Sequence, residues 1–397
     1  MARRRSTPPP PRPSPRRARP EPNRTGRGVR SGRGRRVAIA LAVVGLVAVV
    51  SALGLWLSRG DRRSLKIQAE AAAHAKDWDK ALSLWRRINA SPDASAATLV
   101  QEGSACLALG RAGQAEDALR RAAAAAPEDA PAWLFLAMIQ RVEDRQVDAL
   151  SLGRRALEHV APGDRAELLR EVTLTALTEL PDDLARSTLE RWLAADPADV
   201  DAEAALLRRI GADPRSDDPD RRTRRDRLEA LSRSRPEHVG AREALAILLA
   251  DGREDDAFRA VLDAWPVDGR DARYWRLLGR LKLDVDRRPE PAADAFRRAL
   301  EELPHDWRTH YGLARALSKL NQPEGAAREA KAVARIREAI DPMAIGPILE
   351  ESVAHLEQES ARAAVADLCA RVGLDWLAQA WRSAPAPAVS GSTRPTP

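Results

Sequence analysis

Aromatic residues are scarce in this chain of 397 residues, at only 4%. A compact core built on packed rings is therefore not expected, whereas Ala, Leu and Arg, which are strong helix formers, dominate the region after residue 57. Cysteine is rarer still, with only Cys106 and Cys369 and no CxxC spacing. Two such cysteines exclude a disulfide framework and a thiolate zinc site. The composition predicts an all-helical protein.

Catalytic motifs are also missing. The six histidines form no HExxH motif and no pair spaced by four residues, and no GxSxG, SxxK or Walker-type loop occurs. His305 and His310 stand closest together, at the expected start of a helix, and we expect both on the surface. Cys106 falls at an inward position of its helix, where a small core residue is expected. The sequence thus predicts no enzyme, no cofactor, no metal site and no small-molecule substrate.

Acidic residues are nearly absent from residues 1–36, which hold thirteen arginines, eight prolines and one glutamate. So few apolar side chains cannot bury enough surface to fold, which predicts a disordered tail. The tail carries twelve positive charges in excess, so the rest of the chain is acidic although the whole carries +7. A basic tail of this kind either sets topology and solubility or binds the phosphates of nucleic acid or anionic lipid.

Charge is absent altogether from residues 37–57, a run of twenty-one residues. As a helix this run spans roughly 31 Å, close to the thickness of a bilayer core. A buried core helix is the alternative, but it would normally be shorter and carry a polar stripe, and Ser51 is the only polar side chain here. The run therefore predicts an uncleaved transmembrane helix. Because Arg33, Arg35 and Arg36 precede it, the positive-inside rule predicts a cytoplasmic N-terminus and a periplasmic or extracytoplasmic remainder.

Beyond this run the sequence is periodic, and its clearest unit ends at Pro304. The packing residues of that unit are Trp275, Leu278 and Gly279 in a first helix and Ala292, Phe296 and Ala299 in a second helix. Small residues belong where two antiparallel helices cross, large apolar residues fill the space beside them, and proline ends the second helix. This order resembles the tetratricopeptide repeat, W-x2-L-G…A-x3-F…P. Two departures are Lys282 in place of the usual tyrosine and a turn, DVDRRPEP, that is one residue too long.

Further units follow at a spacing of roughly 34 residues, the period of this repeat, and the best of them open at Leu99 and Trp133. Residues 166–199 keep Leu189 and Trp192 but have lost the small residues of the first helix, so this copy is degenerate. The resemblance implies an all-α, right-handed superhelical solenoid of helix-turn-helix repeats, preceded by a single transmembrane helix. In its organisation the chain is most similar to membrane-anchored bacterial members of the tetratricopeptide repeat family.

The segments predicted along the chain follow from these patterns. They are a disordered tail at 1–36, a transmembrane helix at 37–57, a juxtamembrane linker at 58–63, N-terminal repeats at 64–210, a loop or hinge at 211–222, C-terminal repeats at 223–340, capping helices at 341–383 and a disordered tail at 384–397.

The resemblance also implies a binding surface, because the first helices of successive repeats line a concave groove that holds peptides. Carried onto the two C-terminal units, the groove-facing residues are Arg273, Arg276, Arg280, Arg308, Tyr311, Arg315 and Lys319. The corresponding helices near residues 100–108 and 134–142 are largely apolar. We therefore expect a groove with an electropositive half and an apolar half, suited to a peptide with hydrophobic anchors and acidic groups.

Two functions are consistent with these features. The leading hypothesis is a non-enzymatic, membrane-anchored scaffold that binds a protein or peptide partner, in envelope assembly or secretion, with nucleic acid an unlikely partner. The alternative is a binder of nucleic acid or anionic lipid that acts through the tail at 1–36, with the repeats as a dimerisation module. Deleting residues 1–32 separates the two, because only the second predicts a loss of binding.

Overall fold

A computed structural model describes residues 62–91, 94–178, 180–209 and 219–385. Within these ranges the chain is built of helices joined by turns, and it contains no strand. The predicted all-α repeat array is therefore confirmed for the described part of the chain. The segments predicted at 1–36 and 37–57, the linker up to residue 61 and the tail from residue 386 onwards lie outside the described residues.

The helices are numbered in chain order. They are α1 (62–74), α2 (Trp78–Asn89), α3 (Ala96–Ala108), α4 (Ala112–Ala125), α5 (Ala130–Val142), α6 (Gln146–His159), α7 (Arg165–Leu177), α8 (Asp182–Ala195), α9 (Val200–Arg209), α10 (Pro219–Ser234), α11 (Val239–Asp251), α12 (Asp255–Asp263), α13 (Ala272–Arg280), α14 (Pro289–Glu302), α15 (Trp307–Lys319), α16 (Pro323–Ala339), α17 (Pro342–Ala354), α18 (Glu359–Arg371) and α19 (Asp375–Ser383).

Left-handed turn residues mark the repeat period directly. Each lies between the first and second helix of a pair and has a positive φ, which closes the first helix sharply. Six of the seven described residues with a positive φ form two evenly spaced series, namely Lys76, Gly110 and Asp144, and then Arg253, Arg287 and Asn321; the seventh, Gly373, lies between α18 and α19 outside both series. Within each series the spacing equals the period of the tetratricopeptide repeat, whereas the step from Asp144 to Arg253 is not a whole number of periods. The array is thus two regular blocks, α1–α6 and α11–α16, joined by an irregular middle.

The clearest unit, which ends at Pro304, has one residue more than the repeat pattern, and this extra residue lies in its first helix rather than in its turn. The left-handed Arg287 stands sixteen positions after the N-cap Asp271, whereas Arg253 stands fifteen positions after the N-cap His238. The extra residue is absorbed by a π-helical turn, Leu281–Val285, that continues α13. A π-turn widens the helix by one residue and is often found at functional sites.

Phe296 fills the space between the first helices of the last two pairs. A Cβ atom added at Gly279 would lie 2.6 Å from the Cδ1 atom of this ring, and one added at Gly312 would lie 2.6 Å from its Cζ atom. No side chain larger than glycine fits at either position unless the ring moves. This close approach agrees with the small residues that the repeat pattern predicts at helix crossings.

The regular stack breaks after α7. Thr178 stands one repeat period after Asp144, but its backbone is extended, with φ −128°, so the left-handed turn is not repeated. Helix α7 packs against α5 and α6, whereas α8 packs against α9 instead of α7. The two helices of the degenerate unit at 166–199 therefore do not pack together as a repeat pair. The predicted hinge at 211–222 lies outside the described residues up to residue 218, and residues 219–222 belong to α10.

Helices α8 and α9 pack against the N-terminal block. Leu189 and Trp192 of α8 share a buried cluster with Leu136 and Ile139 of α5. The amide of Gly113 donates a hydrogen bond of 2.9 Å to the carboxylate of Asp199, which precedes α9. The largely apolar surface predicted near residues 134–142 is therefore covered by the chain itself and is not an open half of the groove.

The C-terminal helices pack against both the last repeat and the middle of the chain. Helix α18 contacts α16, and α19 contacts α7. One apolar cluster includes Leu169 of α7, Ile336 of α16, Val365 of α18 and Leu377 of α19. The segment predicted as a cap thus joins the end of the array to its midpoint, which closes the chain on itself.

The predicted membrane topology requires a correction. No helix in the part of the chain that the structure describes is both long and apolar enough to cross a bilayer. The longest helix in the described part of the chain, α16, has 17 residues and spans roughly 26 Å, and it carries polar residues throughout. On this finding the predicted localisation, a single-pass protein with a cytoplasmic N-terminus and extracytoplasmic repeats, is wrong. The span at 37–57, on which it rested, lies outside the described residues.

Candidate functional site

Six of the seven predicted groove residues line one pocket of about 640 Å³. They are Arg273, Arg276, Arg280, Arg308, Tyr311 and Arg315. The seventh, Lys319, is exposed at the end of α15 and does not line it. The walls are formed by α9, α11, α13, α15 and the turn between α5 and α6. We call this pocket, with its lining residues, the central groove.

The central groove is close to charge balance. Seven arginines line it, of which Arg145 and Arg208 were not anticipated from the sequence. Six carboxylates stand among them, namely Glu143, Asp144, Asp201, Glu243, Asp251 and Asp284. The helix periodicity predicted which arginines face inward, but the carboxylates opposite them come from other helices. The electropositive character expected from one helix face is therefore largely offset by neighbouring carboxylates.

The inner arginines are held by buried ion pairs. Arg276 lies 2.8 Å from Glu243 and 3.3 Å from Asp306, whose side chains are only 7% and 9% exposed. Burial alone would lower the pKa of Arg276, but the charges of Asp306 and Glu243 outweigh it and raise that pKa above its usual value. A buried pair of this kind is costly to break, because a single unpaired charge would remain inside. Arg276 therefore fixes the spacing of α11, α13 and α15.

A turn of the chain itself occupies the inner half of the groove. We call residues 143–148 the inserted turn. Arg208 donates hydrogen bonds to the backbone carbonyls of Glu143 and Asp144, at 2.7 and 3.0 Å. Arg273 pairs with Asp148 at 2.9 Å, across 125 residues of sequence. The inner arginines thus bind the carbonyls and a carboxylate of a peptide segment.

The inserted turn is tied to the rest of the array by buried and partly buried ion pairs. Arg145 lies 3.0 Å from Glu143, 3.1 Å from Glu116 and 3.5 Å from Asp201. Burial raises the pKa of Glu143 well above its usual value, although the charge of Arg145 opposes that rise. A segment tied into the core by so many charges is a permanent part of the groove. Any ligand must therefore bind beyond it.

The outer half of the groove is accessible. Its residues Arg280, Arg308, Tyr311 and Arg315, which we call the open end, come from α13 and α15. Tyr311 is 54% exposed, and the Arg315 guanidinium lies 5.8 Å from the centre of its ring. Arg308 is exposed and stacks over the Trp307 ring at 4.7 Å. Among the described residues no carboxylate forms an ion pair with Arg308.

Two ion pairs cross the open end, and both are half exposed. Arg280 lies 2.8 Å from Asp251, with side-chain exposures of 37% and 42%. Arg315 lies 2.7 Å from Asp284, with exposures of 40% and 32%. The groove also has apolar lining side chains, Leu277, Phe296 and Leu303. These three side chains are buried, at 2%, 3% and 5% exposure. The open end therefore presents cations and one exposed aromatic ring, which together suit an extended acidic peptide.

Several of these residues could not be singled out from the sequence. Arg208, Asp144 and Asp148 matter because α9 and the inserted turn reach the C-terminal block, and no local pattern reports such a contact. Asp284 had a signal, since it lies in the stretch that carries the extra residue. His305 was expected on the surface, and this expectation is wrong, because the residue is only 5% exposed. Cys106 is buried, as its inward position predicted.

No group of three or more His, Cys, Asp or Glu side chains within the described ranges is arranged to hold a metal ion. No family model matches the sequence, and no curated protein matches it. Solved structures give a distant likeness. MamA from Desulfovibrio magneticus RS-1 is 21% identical, with a TM-score of 0.31, over 46% of this chain and 99% of that chain.

A tetratricopeptide repeat protein from Parabacteroides merdae ATCC 43184 is 15% identical, with a TM-score of 0.31, over 64% of this chain and 98% of that chain. Likenesses at this score carry no argument about function. The repeat architecture described above rests on the helix pairs and the regular spacing of their left-handed turns.

Proposed function

We propose that this protein is a non-enzymatic scaffold that holds an acidic peptide segment of a protein partner at the open end of the central groove. The partner segment carries carboxylates that pair with the arginines of the open end. The proposal concerns one surface of the array. The broader role, protein interaction through a helical repeat scaffold, follows from the same architecture.

The inserted turn is the observation that carries the proposal. In the inner half of the groove, Arg208 and Arg273 already bind a peptide segment through two carbonyls and one carboxylate. The open end continues the same wall with Arg280, Arg308 and Arg315, but no segment of the described chain fills it. Charge-assisted hydrogen bonds from guanidinium groups to carboxylates are among the strongest in proteins. A partner segment with the chemistry of the inserted turn is therefore the favoured occupant.

Fluorescence anisotropy with short labelled peptides tests the proposal on the full-length chain. One probe contains glutamate, leucine and glycine, and its analogues replace glutamate by glutamine or by lysine. We expect affinity to fall in the order glutamate, glutamine, lysine, and the glutamate probe to bind less tightly as salt rises. The double variant Arg308→Glu/Arg315→Glu should weaken binding of the glutamate probe at least about tenfold.

The control double variant, Arg297→Glu/Arg335→Glu, makes the same charge change at exposed arginines that do not line the groove. It should leave the affinity unchanged. Reversal of Arg276 is unsuitable, because this side chain holds Glu243 and Asp306 in place. Equal binding of the three probes, or equal affinities of the two double variants, would reject the open end as the binding site.

A further inference from the structure

The two ion pairs that cross the open end occupy equivalent positions in successive repeats. Asp251 and Asp284 each stand thirteen residues after the N-cap of their helix, His238 and Asp271. Their partners, Arg280 and Arg315, each stand nine residues after the N-cap of the next first helix, Asp271 and Asp306. The pairing is therefore a repeated feature of this block and not an isolated surface contact.

Exposure separates these two pairs from the inner ones. The carboxylates that hold Arg276 are less than a tenth exposed, whereas Asp251 and Asp284 are about a third to two fifths exposed. Solvent and salt weaken an exposed ion pair, so its loss changes stability little. The outer pairs can open without disturbing the packing of α11, α13 and α15. The arginines that a ligand would use are the same ones that these pairs engage.

A second pocket provides new partners for the aspartates when they are displaced. It has a volume of about 450 Å³ and is lined by Asp251, Asp284, Arg280 and Arg315, together with Arg253 and Arg287. Arg253 and Arg287 are exposed at the left-handed turns and form no ion pair among the described residues. A carboxylate released from Arg280 or Arg315 therefore meets a further guanidinium in the same pocket. This lowers the cost of opening the pair.

We propose that Asp251 and Asp284 are built-in competitors for the ligand, so that a partner binds the open end by replacing these aspartates with its own carboxylates on Arg280 and Arg315. The inference rests on the proposed function and deepens it by naming the residues that set specificity. A neutral or basic segment cannot replace the aspartates in this way, because it has no carboxylate to pair with the arginines that they release. The two aspartates thus lower the affinity for every ligand and raise the discrimination in favour of acidic ones.

Removal of the competing charges tests the inference. In full-length Asp284→Asn and Asp251→Asn, the glutamate probe should bind about two- to fivefold more tightly, and in the double variant about tenfold more tightly. The salt dependence should also become steeper, because the open end then presents its arginines without internal counter-ions. Asp284→Glu keeps the competing carboxylate and should bind as the wild type does. Discrimination between the glutamate and glutamine probes should be smaller in Asp284→Asn and Asp251→Asn than in the wild type, and smallest in the double variant.

Asp294→Asn is the matched control, because Asp294 pairs with Arg297 at 2.7 Å on the exposed face of α14, away from the groove. It should not alter the affinity. If Asp284→Asn leaves binding unchanged or weakens it while Arg308→Glu/Arg315→Glu still weakens binding at least about tenfold, the competitor role is rejected and the proposed function stands. Preferential binding of the lysine probe, weakened by Asp284→Asn, would reject both and identify the aspartates as the binding groups. Absence of binding by every probe would also reject both.

Discussion

The indole Nε1 atom of Trp381 donates a hydrogen bond of 2.8 Å to the hydroxyl oxygen of Thr173, across 208 residues of sequence. Both side chains are almost completely buried, at 1% exposure each. Trp381 belongs to the last helix, α19, and Thr173 to α7, which leaves the regular stack at the midpoint. Burial around this contact also raises the pKa of the Cys369 thiol to about 12. The contact joins the end of the array to its middle.

Trp381 should therefore stabilise the closed arrangement strongly. Trp381→Ala should lower the free energy of unfolding by about 3–5 kcal/mol, since a large buried ring is removed. Trp381→Phe should cost less, about 1–3 kcal/mol, through lost volume and the buried Thr173 hydroxyl that loses its donor. Urea unfolding followed by circular dichroism measures both.

Trp376 provides the comparison, because it lies in the same helix but is only partly buried, with Arg154 over its ring at 4.9 Å. Trp376→Phe should cost less than about 1 kcal/mol. A similarly small cost for Trp381→Ala would mean that α19 does not pack on α7 in solution.

The sequence predicted the features that repeat locally. The order of Trp275, Gly279 and Phe296 predicted a helix pair, because packing within a pair depends on residues a few turns apart. The same periodicity placed Arg276 and Arg315 on the inward face of their helices. Each of these features depends on neighbours that the local pattern already contains.

Long-range contacts were not predictable from that pattern. Asp148 and Arg273 pair across 125 residues, and the pairing requires that the second block turn back toward the first. The packing of Trp192 against the first block has the same origin. Because a repeat pattern specifies only the contact between successive units, it implies an open solenoid. The irregular middle of this chain closes the solenoid instead.

Left-handed turn residues provide a second prediction about stability. Lys76 has φ 58° at the turn between α1 and α2, where the equivalent residue of the next pair is Gly110. A side chain other than glycine costs roughly 1 kcal/mol in this conformation. Lys76→Gly should therefore stabilise the protein by up to about 1 kcal/mol, less the entropy that glycine adds to the unfolded chain. The change in the urea midpoint measures it.

Gly110→Ala is the reciprocal change. A Cβ atom there would meet the Cβ of Ala195 and the carbonyl oxygen of Arg191 at 3.2 Å, in a backbone conformation with φ 75°. The variant should lose about 1–3 kcal/mol. Equal and small effects of the two substitutions would show that the turn does not require a left-handed residue.

His305 and His310 lie only five positions apart, but their contributions to the free energy of unfolding should depend on pH in opposite directions. Burial lowers the pKa of His305 to about 4, and neither ring nitrogen has a hydrogen-bond partner among the described residues. Burial also disfavours the charged form of His310, but hydrogen bonds with Glu329 and the Pro304 carbonyl outweigh it and raise the pKa of His310 above its usual value. The surroundings therefore favour the neutral form of His305 and the protonated form of His310.

The signs follow from proton uptake in the folded and unfolded states. As the pH falls from about 6.5 to about 4, the unfolded chain protonates His305 and the folded chain does not, so the free energy of unfolding falls by up to about 1.4 kcal/mol per pH unit. His305→Leu should remove this loss, and its stability relative to wild type should rise as the pH is lowered from 6.5 to 4.5. The contribution of His310 is present below about pH 6.5 and is lost above its raised pKa. His310→Gln should therefore destabilise the protein more at pH 5 than at pH 8. Urea midpoints at these pH values measure the stability of each variant relative to wild type. The assignments would be contradicted if this relative stability changed in the same direction with pH for both variants.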